Sequence, residues 1–125
     1  MLQQIRASPA FWERKKKELL AMIRQLGCAT FFFTLSAAET KWPELMVILK
    51  KTVDNEVITT QQAARLTYQQ KAELIRKDPV TCARYFDHRL KDMFELLRQP
   101  GSPFHPYELV ESYVRIEFQH RGSPH

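Results

Sequence analysis

Three of the seven prolines stand where a helix should begin, and they divide this chain before any other feature is weighed. Proline fixes φ and has no N–H to donate, so the first turn of a helix tolerates it and the interior does not. Ser8-Pro9 joins a side-chain cap to a proline at the first helical position, and the helix so begun is predicted to run from about Ser8 to Leu26. Gly27 then supplies the positive-φ residue that ends it. Along that stretch Trp12, Leu19, Leu20, Ile23 and Leu26 recur at helical spacing and define one apolar face. Trp42-Pro43 opens a second helix to about Lys51, with Thr40 as its candidate cap, and Asp54-Asn55 reads as a turn. Asp78-Pro79 opens another, reaching Leu97, with Val80, Ala83, Phe86, Leu90, Phe94 and Leu97 as its core stripe. Between them the pattern from Thr59 is helical, with Thr60 as cap and Ala63, Ala64, Leu66 and Leu74 facing inward.

Two segments carry a different period. Ala29 to Ser36, A-T-F-F-F-T-L-S, is aromatic and β-branched, follows a glycine and ends in small polar residues, which predicts a buried strand. Val110 to Gln119 alternates Val110, Ser112, Val114, Ile116 and Phe118 with Glu111, Tyr113, Arg115, Glu117 and Gln119. A period of two predicts a strand with one apolar and one polar face. Pro100 to Pro106 is a loop. Helices interrupting strands, without repeated β-α-β units, point to an α+β fold with an antiparallel sheet and flanking helices. Two strands are too few to close a sheet, so either the sheet continues beyond residue 125 or the two strands pair with each other and little else; the expectation is one partial domain over 1–125, incomplete at its C-terminal side, with residues 1–7 disordered.

Composition narrows the partners. The chain is 44% hydrophobic with 11% aromatics, enough for a core. Lysine and arginine number 19 against 14 acidic residues, a net charge of +5 that suits a phosphate-bearing partner through counterion release. Lys15, Lys16 and Lys17 cluster on the first helix, as a solvated face or as a DNA contact. Cys28 and Cys82 form no C-x-x-C pair, so neither a zinc site nor a disulfide framework is indicated, and both read as ordinary buried or half-buried thiols. Met1 to Ala7 holds no apolar run of signal-peptide length, and no segment is long enough to span a bilayer. The expectation is a soluble intracellular protein with no membrane partner.

The last residues, E-F-Q-H-R-G-S-P-H, hold the chemistry. If the chain reverses about Arg121, Glu117 and His125 come opposite one another, with Cβ atoms about 5 Å apart. A carboxylate and an imidazole are two ligands, and a divalent ion needs more. His88, His105 and His120 read as surface or capping residues.

These residues carry a family resemblance. Phe118 to His125 resembles the approach to the His-hydrophobe-His motif of Helitron transposases, and Phe31 to Trp42 resembles that family's first motif. Asp78 to Phe86 and Ile23 to Gly27 are also similar to family members, in order along the chain. The resemblance implies a replication-initiator fold of the ferredoxin or RRM-like type, acting in rolling-circle transposition. It implies a tyrosine that nicks single-stranded DNA covalently and a divalent ion, Mg or Mn, that polarises the scissile phosphate. By the same resemblance His125 matches the first motif histidine and Glu117 the acidic third ligand. Thr34 and Ser36 fall in the first motif, close to DNA, and Arg115, Arg121, Lys15 and Lys16 are the further candidate DNA contacts. Tyr107 and Tyr113 precede the histidine motif and do not match the nucleophile. A second histidine and the nucleophilic tyrosine are not matched within 1–125, so the expectation is a fragment inactive as a nuclease alone, with no metal bound. The setting implied is the nucleus, beside a helicase domain of the same polyprotein. No G-x-x-x-x-G-K-[ST] loop is present to bind ATP. The alternative is a non-catalytic single-stranded DNA-binding module derived from a mobile element.

Overall fold

A computed structural model describes residues 8–118. Five α-helices and one short 3-10 turn make up its regular structure: α1 Pro9–Leu26, the 3-10 turn Glu39–Lys41, α2 Pro43–Asp54, α3 Thr60–Arg65, α4 Tyr68–Lys77 and α5 Pro79–Arg98. Two compact units divide between Thr34 and Leu35.

The first unit holds α1, bounded as its sequence predicts. The Ser8 hydroxyl oxygen accepts from the Phe11 N–H at 3.1 Å, and Gly27, at φ +87°, donates its N–H to the Ile23 carbonyl at 2.9 Å. Ion pairs one turn apart brace the exposed surface: Glu18 with Lys15 at 2.7 Å and Arg14 at 3.5 Å, and Lys17 with Glu13 at 3.2 Å. The helix buries no residue completely, and Trp12, Leu20, Ile23 and Leu26 of its apolar stripe remain exposed.

In the second unit α2 lies at the centre, packed against α3, α4, α5 and the 3-10 turn. Its Leu45, Met46 and Leu49 are fully buried and meet Ala63 of α3, Leu74 of α4 and Cys82 of α5. Trp42, Val53, Ile58, Leu66, Ile75 and Tyr85 pack around that nucleus. Asn55, at φ +53°, ends α2 in the left-handed conformation that asparagine tolerates. Two successive capping boxes split what the sequence reads as one helical stretch. Thr59 and Gln62 exchange bonds of 2.8 and 3.2 Å at the start of α3, and Thr67 and Gln70 exchange bonds of 2.9 and 3.3 Å at the start of α4. The cap of α3 is therefore Thr59 rather than Thr60. Thr40 lies within the 3-10 turn, and Trp42 precedes α2 without a side-chain cap. Asp78 caps α5 through the Thr81 N–H at 3.0 Å, as Asp78-Pro79 predicts.

The α+β assignment is overturned. No strand or sheet forms among the described residues. Residues 29–36 and 110–117 are irregular, with only an isolated bridge at Phe118. Helical hydrogen bonds close within one segment, whereas a strand exists only through the ladder it shares with another. Alternation can specify which side chains share a face, but it supplies no partner. Phe31, Phe32 and Phe33 are accordingly exposed, Phe32 by 89%, rather than buried. The stripe predicted for α5 is displaced too: Cys82 and Tyr85 pack on the core, while Val80 and Ala83 are exposed and Phe86, Leu90, Phe94 and Leu97 are half-buried. Residues 99–107 form consecutive turns, in keeping with the predicted loop, with Gly101 at φ +77° and Ser102 buried.

Candidate nucleic-acid interface

Helix formation in α1 determines how its basic residues are displayed. The helix carries five cations, Arg14, Lys15, Lys16, Lys17 and Arg24, against Glu13 and Glu18. Part of this charge is answered within the helix. Lys15 donates to Glu18, and that hydrogen bond chiefly holds the Glu18 carboxyl below its ordinary value of 4.5. Lys17 faces Glu13. These pairs are solvent-exposed and weak, so the cations can exchange a carboxylate for a phosphate at little cost. Lys16 is exposed on the same helix. Arg14 lies 5.7 Å from the centre of the Phe11 ring, which itself meets Trp12 edge-on at 5.2 Å. The surface of α1 thus places cations beside accessible aromatic rings, the two features used to hold single strands.

The other predicted DNA contacts are divided between the two units. Thr34 closes the first unit and Ser36 belongs to the second, both exposed in irregular chain. In the first unit Phe31 and Phe33 stack with ring centres 5.9 Å apart. Arg115 is in the second unit, where its Nε donates to Glu117 Oε1 at 2.9 Å. The pairing of two residues at i and i+2 fits an extended segment, whose side chains at that spacing share a face.

Glu117 is thus placed beside a cation, and its side chain is 56% exposed. Arg121 and His125 lie outside the described residues, as does the reversal expected to bring His125 opposite Glu117. Among the described residues no three His, Cys, Asp or Glu side chains gather closely enough to hold a metal ion. One guanidinium-bound carboxylate does not fit a divalent cation on its own, because such ions require several oxygen or nitrogen ligands. Tyr107 is exposed in the turn region and Tyr113 is half-buried.

Cysteine placement separates the two thiols more sharply than their sequences predict. Cys28 is exposed, not buried. Cys82 is buried, and desolvation, reinforced by Glu39 and Asp78, pushes its thiol up to about 11. That environment opposes thiolate chemistry.

The cations of α5 also meet aromatic rings, although no sequence motif singles them out. Arg89 lies 5.7 Å from the Trp42 ring centre, with Tyr85 at 5.5 Å from the same ring, and Arg98 lies 5.4 Å from the Phe94 ring centre. The four-residue steps from Tyr85 to Arg89 and from Phe94 to Arg98 were the available signal.

No helix among the described residues is long and apolar enough to cross a membrane. No curated protein and no solved structure matches the chain. A family model does: the Helitron helicase-like domain at N-terminus matches residues 1–125, and the chain belongs to that family.

Proposed function

We propose that this chain engages single-stranded DNA as part of a Helitron-type domain that nicks and rejoins one strand during rolling-circle transposition. Family membership over residues 1–125 carries the reading. The net charge of +5 and the cation-bearing, aromatic-flanked surface of α1 support its DNA-binding half. The nucleus and a helicase domain of the same polyprotein are the setting the family implies. In that chemistry a tyrosine oxygen displaces the 3′ oxygen at the scissile phosphate and retains the 5′ phosphate as an ester, ready for transfer. His125 and Glu117 are the residues assigned by resemblance to a Mg or Mn site, although the described residues do not make one.

The Glu117–Arg115 ion pair favours a second reading, in which the chain holds single-stranded DNA without cutting it. Incubating the chain, alone and joined to a segment supplying the second motif histidine and the tyrosine, with 5′-labelled single-stranded oligonucleotides and Mg²⁺ or Mn²⁺ separates the two. Metal-dependent cleavage with a covalent protein–DNA adduct only in the extended version, lost there in Glu117→Gln, supports the nicking reading. Binding that weakens steeply with salt, without cleavage in either version, supports the binding module. Absence of salt-sensitive binding to any single strand would sink both.

A further inference from the structure

A shallow groove of about 300 Å³ runs between the second half of α5 and the segment around residues 112–114. Its apolar surface comes from Leu90 and Phe94 on α5 and from Val114 opposite. Lys91, Arg98 and Ser112 line it as well. Lys91 and Arg98 are seven residues apart, two turns of helix or about 10 Å, so a cation stands at either end of the helical wall, with Glu95 between them. Lys91 pairs with Asp87 at 2.6 Å, an exposed pairing open to exchange. Glu95 is the one carboxylate among the lining residues. Arg98 rests 5.4 Å from the Phe94 ring centre, so an aromatic ring and a delocalised planar cation adjoin within the groove. Arg115, already named as a candidate DNA contact, follows Val114 directly.

We propose that this groove is a subsite for one unstacked base of a single strand, stacked against Phe94 and Arg98, with the adjoining phosphates on Lys91 and Arg98. The inference rests on the DNA-binding reading above and assigns it a place that the family motifs do not. An apolar surface with two flanking cations complements a nucleotide, which has a flat apolar face and an anionic backbone. It does not complement an acidic peptide, which would leave the Phe94 surface unused. Stacking on an aromatic ring is tolerant of sequence because every base presents a π-face, so the subsite would retain strands rather than select them.

The test uses the whole chain and two labelled probes, an oligothymidylate and an abasic strand of equal length, read by fluorescence anisotropy across salt. Phe94→Leu keeps an apolar side chain and removes the ring. It is expected to weaken oligothymidylate binding about tenfold while leaving the abasic probe unchanged. Arg98→Gln alters an exposed residue and should reduce the salt slope for both probes by about 0.7. Circular dichroism verifies that each variant retains its helices. Wild-type binding that Phe94→Leu leaves within about twofold overturns the subsite alone. Equal losses on the two probes in Phe94→Leu overturn base stacking. If the wild type binds neither probe, the DNA-binding reading falls and the subsite with it.

Discussion

Replacing Leu49 with alanine tests the core on which the second unit depends. Leu49 is fully buried on α2, the helix that meets α3, α4, α5 and the 3-10 turn. The change deletes three carbons, worth about 2.4 kcal/mol at about 0.8 kcal/mol each. If roughly 40 Å³ stays open, a cavity term of about 1 kcal/mol is added. The expected loss is therefore about 3 to 4 kcal/mol, within the range typical of buried leucines. A unit of this size has only about 5 to 10 kcal/mol in total, so a third or more of its stability should vanish. Among the described residues six form the buried core, leaving few neighbours able to relax into the gap. Thermal unfolding followed by far-UV circular dichroism should show a midpoint about 15 to 25 °C lower. Leu96→Ala, at a residue 55% exposed on α5 in the same unit, is the control and should change stability by less than about 0.5 kcal/mol. A Leu49→Ala midpoint within about 5 °C of wild type would refute the assignment of α2 as the central element.

Three further outcomes are expected. Thr67→Ala removes one half of the capping box at α4 and should cost about 1 kcal/mol in urea unfolding, with Thr67→Ser recovering most of it. In the native protein Cys28 should react quickly with an aromatic disulfide reagent and Cys82 only as the chain unfolds; at about pH 8 a thiol at about 11 is ionised roughly one part in a thousand. Equal rates for the two would contradict the burial of Cys82. Asp78 is held below its ordinary value of 3.8, chiefly by the Thr81 side-chain hydrogen bond. A depressed folded value means its contribution is complete above about 3.8 and disappears as pH falls through the folded value. Urea midpoints of wild type and Asp78→Asn should thus converge in acid and separate toward neutrality; a gap that does not change with pH would refute the link.

The aromatic and alternating segments show why local pattern misleads about strands. Phe31 to Phe33 have the composition of a buried strand, and Val110 to Phe118 have the alternation of a two-faced one. Neither forms a strand among the described residues, and the phenylalanines are largely exposed. Composition measures how well a residue would suit a sheet; whether a sheet exists depends on a second segment at the right distance and register. The candidate site follows the same division. The helical placement of Lys15 and Lys16 was legible because the cap and proline that start α1 are local. Pairing Glu117 with Arg115 was not predicted, because the extended segment was expected to turn Glu117 toward His125 instead.

Local sequence alone sets where the first and last helices begin and where the first one ends. Ser8-Pro9, Asp78-Pro79 and Gly27 act through their own backbone limits and through hydrogen bonds spanning three or four residues, and each stands where it was expected. Tertiary structure alone decided which apolar residues became core. Trp12 and Leu20 have the periodicity of a buried face yet remain exposed, whereas Cys82 and Tyr85, outside the predicted stripe, meet α2 or its neighbours. A cap is satisfied within one turn of chain, but burial requires another surface to arrive, and that depends on where the remaining helices pack.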